Sequence, residues 1–354
     1  MYIFLAILLI SFLIFIHELG HFVAAKLSGV QVNEFSLFMG PAIFQKQIGQ
    51  TLYSLRCIPL GGYCAMEGEN GESDNPHSFF AAAWWKKLII LLAGVTMNFL
   101  VGVVLMMLVL GFSPSKLYVE PVISGFQEGS TLIGEDRIQV GDRIVKIDGD
   151  PMYLQSDFEL LLMLNPGDYH DITVERDGQK VELSQVPVIR QEFLQEDGTT
   201  RMMYGITFSV AELNFGAVLR QGWLESVDSI RLAWVSLKML FTGKAGMQDM
   251  SGPVAIVAQI NNTAKASGSL RMALLNIGYY GGFFALNLAV MNLLPIPALD
   301  GGRAFCLLLT TAVEAVTRKK VDPKYEAYLN AAGMVLLLGL MLVISLKDVI
   351  SIVF

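Results

Sequence analysis

His17-Glu18-Leu19-Gly20-His21 directly follows residues 1–16, an apolar run that only Ser11 interrupts. Residues i and i+4 of a helix share a face, so the imidazoles of His17 and His21 can reach one zinc ion. Glu18 then lies where it can take a proton from water at the metal. The alternative is a pair of helix histidines that hydrogen-bond to their neighbours. Because ionisable residues inside a membrane span are costly, they are candidates for function, and the stretch predicts a zinc hydrolase built into a membrane helix.

The composition is that of a polytopic membrane protein. Of the 354 residues, 53% are apolar and only 16% are charged, an excess of apolar residues over soluble proteins. Four apolar runs are long enough to span a bilayer, which predicts four transmembrane helices. These runs cover residues 1–25, 88–112, 272–299 and 330–343 with its apolar continuation. The first run is interpreted as a retained span and not a signal peptide, because no basic segment precedes it and it leads into His-Glu.

The acidic residues are concentrated between the second and third runs. Residues 112–216 contain 8 Lys and Arg against 18 Asp and Glu, a net of −10, whereas the rest of the chain has 17 against 14, a net of +3. This predicts a soluble acidic domain inserted between membrane spans. No segment has the basic surface of a nucleic-acid-binding protein, so that class is excluded.

Basic residues between the spans predict the orientation. Lys26, Lys46, Arg56, Lys86 and Lys87 lie between the first two runs. Between the last two runs lie, among others, Arg303, Arg318, Lys319 and Lys324. The positive-inside rule places both loops in the cytoplasm, and the termini and the acidic insert outside. The HExxH motif is therefore expected toward the cytoplasmic side of the membrane.

Residues 50–69 have the pattern of a strand, with Pro59 and the pair Gly61-Gly62 as interruptions. Two interpretations stay open for this segment. It is either a plain cytoplasmic hairpin, or an exposed strand edge near the site that holds a peptide in extended form. Its two cysteines lack the CxxC spacing of a metal site, and reduced thiols are predicted.

The second span carries a small and a polar residue four positions apart, Gly94 and Asn98. A small residue allows a neighbouring helix to approach closely, and an asparagine can hydrogen-bond across helices. The interpretation is helix packing for both residues.

The insert alternates apolar and polar residues between turn signals. The stretches VGDRIVKIDGDP at residues 140–151 and ITVERDGQ at residues 172–179 predict strands joined by turns, and residues 158–164 have a helical pattern. On these stretches the insert resembles a PDZ domain. Residues 217–242 have apolar residues at helical spacing, which predicts an amphipathic helix on the outer membrane face.

Two histidines do not complete a catalytic zinc site, which usually has three protein ligands and one open position. His77 and His170 are candidates by residue type alone, and His170 is expected at the surface of the insert. Asp300 is better placed, because it ends the third apolar run on the same predicted side as the HExxH motif. A carboxylate at that depth needs a partner such as a metal. The alternative is an aspartate that caps a helix over residues 302–316.

Taken together, these motifs resemble those of the site-2 protease family of intramembrane zinc metalloproteases. The resemblance rests on HELGH in the first span, SGPV at residues 251–254, NLLPIPALDGG at residues 292–302 and the PDZ-like insert. It covers essentially the whole chain. It is greatest for bacterial enzymes of the regulator of sigma-E protease type, here with a single PDZ-like domain.

The resemblance implies a role for each matching residue. His17, His21 and Asp300 correspond to the zinc ligands of the family, and Glu18 to its catalytic base. Asn287 and Asn292 correspond to asparagines that engage the substrate backbone. Residues 50–69, with Gly61 and Gly62, correspond to a membrane-associated β-loop that presents substrate as an added strand.

The fold expected is a polytopic α-helical membrane protein with a membrane-associated β-hairpin and an inserted α+β PDZ-like domain. The expected domains are residues 1–111 with two spans, HExxH and the β-loop, the insert at residues 112–212, an amphipathic helical region at residues 213–271, and the last two spans at residues 272–354.

The function expected is a Zn²⁺-dependent endopeptidase that cuts transmembrane segments of pre-trimmed substrates, such as anti-sigma factors or remnant signal peptides, in regulated intramembrane proteolysis. Three alternatives stay open. One is an inactive membrane scaffold that binds peptide tails through the insert. Another is an intramembrane zinc transporter. The third is a membrane-anchored protease that acts on soluble peptides.

Overall fold

The chain forms two compact units in the computed structural model. One unit contains Met1–Val109 and Ser229–Phe354, and the other contains Leu110–Asp228. The structure describes residues 1–354 except residues 70, 72, 135–136, 195–198, 245, 247, 249, 320, 323 and 354.

Helices and strands alternate in blocks along the described residues. The helices are α1 (Tyr2–Ser28), α2 (Trp84–Phe112), α3 (Asp157–Leu164), α4 (Phe215–Phe241), α5 (Pro253–Ala266), α6 (Leu270–Leu293), α7 (Asp300–Thr317) and α8 (Lys324–Val353). The strands are β1 (Val32–Ile48), β2 (Thr51–Met66), β3 (Leu117–Phe126), β4 (Arg143–Ile147), β5 (Asp150–Pro151), β6 (Tyr169–Arg176), β7 (Gln179–Pro187), β8 (Gln191–Leu194), β9 (Thr200–Met203) and β10 (Ile206–Glu212).

Four of the described helices are long and apolar enough to cross a membrane, which confirms the predicted number of spans. They are α1, α2, α6 and α8. The third of these helices is shorter than the apolar run that contains its end, because α6 ends at Leu293 whereas the run continues to residue 299. Pro295 and Pro297 explain the difference, since proline lacks the backbone donor and disfavours helical geometry in the preceding residue.

The first two spans pack closely at a glycine. A Cβ atom on Gly20 would lie 2.5 Å from the carbonyl oxygen of Ala93, so only a residue without a side chain fits there. The α1 helix then ends at Ser28 and is capped by Gly29, which has the left-handed φ of 79° and donates its N–H to the carbonyls of Ala25 and Lys26. This packing brings the face of α1 that carries both histidines against α2.

The β-hairpin of β1 and β2 is larger than the segment predicted from the sequence. The turn lies at Gly49, so β1 supplies a partner strand that the prediction of residues 50–69 lacked. Both strands bend, and residues 34–37 pair on one side with residues 52–55 and on the other with residues 62–65. Phe35, for example, is opposite both Tyr53 and Cys64. Residues 62–66 therefore form an outer edge of this small sheet.

The second unit contains an antiparallel sheet of order β10-β3-β4-β6-β7, to which β5 adds through β4. Asp177 and Gly178 both have positive φ, as a two-residue hairpin turn between β6 and β7 requires. The α3 helix packs Phe158, which is 1% exposed, onto the core of this sheet. The predicted strands and the helix at residues 158–164 are thus confirmed.

His170 is not a surface residue, and the expectation for it was wrong. It is 2% exposed, and its Nδ1 and Nε2 atoms lie 2.6 Å from Asp148 Oδ2 and 3.0 Å from the Gly167 carbonyl oxygen. Residues alternate between the two faces of a strand, and position 170 of β6 lies on the buried face. The imidazole is a structural contact of the insert and lies in a different unit from His17 and His21.

Candidate active site

Three side chains converge between the first span and α7. His17 Nε2 lies 2.9 Å from Asp300 Oδ2, His21 Nε2 lies 3.3 Å from the same oxygen, and the two Nε2 atoms are 3.2 Å apart. Four ligands at the corners of a tetrahedron around zinc, with bonds of about 2.0–2.1 Å, lie about 3.3 Å from one another. The three atoms thus have the spacing of a zinc ligand set.

The carboxylate of Asp300 has the environment of a metal ligand. Its Oδ2 atom is buried and accepts no hydrogen bond of acceptable geometry from any described residue, although both imidazoles lie within 3.3 Å of it. A buried carboxylate oxygen without a hydrogen bond is costly, and a cation at the centre of the three atoms would satisfy it. The donor set of two imidazoles and one carboxylate is one that zinc accepts in catalytic sites.

The turn before α7 fixes the position of Asp300. Asp300 is the first helical residue, and Leu299 is the N-cap, without a side-chain cap bond. Asp300 therefore does not cap the helix in the way that the alternative required. A Cβ atom on Gly301 or Gly302 would overlap the backbone carbonyls of Leu293 and Ile296, respectively, so both glycines allow the chain to turn tightly after α6.

The second span contacts both histidines. His21 Nδ1 lies 2.8 Å from the carbonyl oxygen of Ile90, and His17 Nδ1 lies 3.4 Å from Nδ2 of Asn98. A Cβ atom on Gly94 would lie 2.5 Å from His21 Nε2 and 2.7 Å from His17 Cε1. Packing was the interpretation of Gly94 and Asn98 from the sequence, and their proximity to the histidines was not foreseen. The four-residue spacing of Gly94 and Asn98 was the available signal.

Glu18 faces the edge of the β-hairpin. Its Oε2 atom accepts a hydrogen bond of 3.1 Å from the backbone N–H of Cys64. Cys64 lies in the outer edge at residues 62–66, so this edge runs beside the glutamate of the HExxH motif. Cys57 and Cys64 are free thiols, as predicted, and Cys306 is a free thiol as well.

The remaining predicted site residues lie on the hairpin and on α6. Gly61 has a φ of 67°, and a Cβ atom on Gly62 would lie 2.6 Å from the carbonyl oxygen of Ser36. Asn287 donates its side-chain N–H to the carbonyl oxygen of Phe283 at 2.8 Å. Asn292 lies in the last turn of α6, and at 100° per residue its direction differs from that of Asn287 by about 140°. The two asparagines therefore do not share a face.

An ion pair connects the end of the hairpin to the helix that carries Asp300. Arg303 lies one turn after Asp300, and its Nη1 atom is 2.7 Å from Glu69 Oε1. Glu69 Oε2 also accepts the backbone N–H of Met66 at 3.3 Å. The outer edge at residues 62–66 is thus fixed twice, by Glu18 at Cys64 and, through Glu69, by Arg303 of α7.

The hairpin has its own charged contact. Arg56 Nη2 lies 2.8 Å from Glu34 Oε1, to which the Ser54 hydroxyl also donates. Burial raises the pKa of Glu34, but the hydrogen bonds from Ser54 and Tyr63 and the ion pair with Arg56 outweigh it and hold that pKa below its usual value. The burial of Tyr63 itself, together with its hydrogen bond to Glu34 and the charge of that carboxylate, raises the pKa of Tyr63 to about 12.

The geometry defines a class of protein, namely hydrolases whose HExxH helix is itself a candidate membrane span. Comparison with known proteins then gives the family. Residues 5–340 match Peptidase family M50. The chain is 34% identical over 354 residues to a Clostridium perfringens protein named "Putative zinc metalloprotease CPE1693", with 99% of both chains covered.

Two further relatives cover nearly the whole chain. "Regulator of sigma-W protease RasP" of Bacillus subtilis is 24% identical, with 97% of both chains covered. "Zinc metalloprotease RasP" of Geobacillus kaustophilus is 25% identical, with 95% of both covered. The chain therefore belongs to peptidase family M50 and is a zinc metallopeptidase of the site-2 type. The predicted family, enzyme class and Zn²⁺ cofactor are confirmed.

Proposed function

We propose that this protein hydrolyses peptide bonds inside transmembrane segments of substrates that have already been trimmed. The observation that carries the proposal is the convergence of His17, His21 and Asp300 within 3.3 Å, two of them on a candidate membrane span. A site built into a span is suited to substrates that themselves lie in the membrane. A protease for soluble peptides would not need its metal ligands there.

In this proposal His17 and His21 hold zinc through Nε2, and Asp300 holds it through Oδ2. When bound there, zinc would supply Lewis-acid chemistry for the water and the scissile carbonyl. Glu18 acts as general base, takes a proton from the attacking water and then gives it to the leaving amine. The contact of Glu18 with the N–H of Cys64 holds its carboxylate beside the strand edge where substrate is expected.

Residues 62–66, with Gly61 and Gly62 at their start, are proposed to bind substrate as an added strand. A helical substrate buries its carbonyls in its own hydrogen bonds, so it must unwind before hydrolysis. An outer strand edge offers backbone partners to the unwound segment and stabilises it in extended form. Asn292 and Asn287 are proposed to hold the substrate backbone or the developing oxyanion from α6.

An apolar groove of about 500 Å³ supports a substrate that enters from the membrane. It is lined by Leu5, Leu8, Leu9, Phe12, Phe15, Leu37, Phe38, Leu274 and Ile277. These residues belong to α1, α6 and β1, the same elements that carry or adjoin the proposed site. An apolar segment would therefore meet an apolar surface on its way to the hairpin.

The insert is proposed to be an extracytoplasmic PDZ-like domain that admits only shortened substrates. Its antiparallel sheet with one covering helix supports the assignment. The boundaries proposed for the four domains are those predicted from the sequence. In α4 the large exposed side chains Trp223, Trp234 and Phe241 support a helix that lies on the outer membrane face.

The proposed location is a bacterial cytoplasmic membrane, with the metal site toward the cytoplasm. The proposed substrates include anti-sigma factors, because one relative is named a regulator of sigma-W protease. Remnant signal peptides are proposed as well, because each is a short apolar helix with one end already cut. The two other classes of protein, a peptide-binding scaffold and a zinc transporter, leave the glutamate between the ligands without a role.

The test is a comparison of Glu18→Gln with the unchanged protein and with His21→Ala in detergent. We expect Glu18→Gln to retain zinc but to lose cleavage of a model transmembrane substrate, and to co-purify with uncut membrane fragments. His21→Ala should lose both zinc and cleavage. Cleavage at the normal rate by Glu18→Gln would refute the role of base, and zinc flux in sealed vesicles would favour the transporter.

A further inference from the structure

We infer that Asn98 is a positioning residue of the metal centre. Its side-chain carbonyl accepts the Nδ1 proton of His17 and so fixes the ring that presents Nε2 to the metal. The inference rests on the ligand set proposed above and assigns to the second span a part in metal binding, although this span supplies no ligand itself.

The position of Asn98 is the first observation. Its side chain is 1% exposed, and Nδ2 lies 3.4 Å from His17 Nδ1. Its Oδ1 atom is buried without a hydrogen-bond partner among the residues that the structure describes. The opposite nitrogen of the same imidazole, Nε2, lies 2.9 Å from Asp300 Oδ2. The ring of His17 therefore stands between the carboxylate on one side and the amide on the other.

The chemistry of imidazole decides which amide atom faces it. A neutral imidazole that binds metal through Nε2 carries its proton on Nδ1, where it needs an acceptor. The amide nitrogen is a donor only, whereas the amide oxygen is an acceptor. A half-turn of the amide exchanges the two atoms with almost no change of shape. That turn pairs the unpartnered oxygen with the Nδ1 proton and satisfies both groups.

The second histidine has an equivalent contact on the same helix. His21 Nδ1 lies 2.8 Å from the carbonyl oxygen of Ile90. Ile90, Gly94 and Asn98 follow one another at intervals of four residues, so they lie along one face of α2. Gly94 leaves the space that both rings occupy, since a Cβ atom there would lie 2.7 Å from His17 Cε1. One face of α2 thus orients both rings, through a backbone carbonyl for one and a side-chain amide for the other.

The experiment compares three variants of the full-length protein in detergent. Asn98→Leu keeps the size of the side chain but removes the acceptor, whereas Asn98→Asp keeps an acceptor. Thr96→Val is the matched control, because Thr96 is on the same helix, exposed, and bonded only to the carbonyl of Leu92 at 2.9 Å among its described contacts. The readouts are zinc affinity by competition with a chelator and the visible spectrum of the Co²⁺-loaded protein.

We expect Asn98→Leu to lower zinc affinity by about 10- to 100-fold, the usual effect of removing an outer partner of a metal-bound histidine. Its Co²⁺ spectrum should change as well, because the His17 ring is free to rotate. Asn98→Asp should keep zinc affinity at or above that of the unchanged protein. Thr96→Val should have no effect on either readout.

Two results would overturn the inference. One is normal zinc affinity and a normal Co²⁺ spectrum in Asn98→Leu, and the other is an equal loss of zinc in Asn98→Asp, which would make shape and not the acceptor decisive. His17→Ala separates this failure from failure of the proposed ligand set. If His17→Ala retains zinc at normal affinity, the ligand set is wrong. If it loses zinc while Asn98→Leu does not, only the role of Asn98 is wrong.

Discussion

Gly94→Ala adds a single methyl group at the point where α2 meets the two imidazoles. The new Cβ atom would lie 2.5 Å from His21 Nε2 and 2.7 Å from His17 Cε1. Carbon and nitrogen atoms that are not bonded approach to about 3.5 Å, so His21 must move by about 1 Å relative to α2. A zinc ligand tolerates about 0.2 Å of displacement, which is several times less.

The expected effect on chemistry is larger than the effect on folding. Overpacking costs about 1–3 kcal/mol, whereas alanine stabilises a helix by about 0.5–1 kcal/mol relative to glycine. The net loss in the free energy of unfolding is therefore about 0–2.5 kcal/mol. A displacement of about 1 Å at a catalytic group lowers the rate about 100-fold. We expect a protein that still folds, binds zinc at least 10-fold more weakly and cleaves about 100-fold more slowly.

The assay measures zinc content after chelator competition, cleavage of a transmembrane model substrate, and thermal unfolding of the same preparations. Gly339→Ala on α8 is the matched control, because a Cβ atom at that position would have no described heavy atom of another segment within 4 Å. It should leave zinc affinity and cleavage unchanged. Normal zinc affinity together with normal cleavage in Gly94→Ala would refute the close approach of α2 to the histidines.

Three further predictions concern contacts outside the ligand set. Arg303→Glu should lower cleavage several-fold without loss of zinc, because it breaks the ion pair with Glu69. Adding Glu69→Arg to the same chain should restore part of the cleavage activity, and no restoration would contradict the pairing. Since the pKa of Glu34 is held below its usual value, its stabilisation of the hairpin is present above the pKa of an unfolded glutamate and is lost as the pH falls through the lower folded value. Hydrogen exchange of the hairpin amides should rise over that acidic range, and Glu34→Gln should remove this pH dependence. His170→Ala should lower the unfolding temperature of the insert, measured by calorimetry, but leave zinc affinity unchanged, whereas a loss of zinc would tie His170 to the metal site.

The sequence predicted the four long apolar helices because their length follows a local rule, whereas the assignment of His17, His21 and Asp300 as metal ligands stays a prediction. A run of apolar residues as long as a bilayer is a strong signal, and it gave four spans. The four-residue spacing of His17 and His21 requires only a helix for both rings to share a face. Asp300 followed from its depth at the end of an apolar run. Its distance from the histidines needed the structure, since no local pattern connects residues that are 279 and 283 positions apart.

The parts that the sequence did not predict depend on contacts between distant segments. The hairpin was placed at residues 50–69, and its partner β1 was missed because strand pairing is not visible in one strand alone. His170 was taken for a surface residue because its type is polar, whereas its alternating position in β6 and the carboxylate of Asp148 determine its burial.

The second span, α2, contacts both histidine rings of the proposed metal centre. The proposed ligands lie on α1 and α7, whereas the groups that contact the Nδ1 atoms of the two rings, the Ile90 carbonyl and the Asn98 side chain, lie on α2. Zinc bound by His17, His21 and Asp300 would therefore bind three helices to one another, because each ring is held from both sides. Loss of zinc should loosen the packing of α2 on α1 as well as the ligands. Amide exchange in α2 around Gly94 should consequently rise when zinc is removed, and the rise should be smaller in Asn98→Leu than in Thr96→Val, because Asn98→Leu already breaks the contact between α2 and His17.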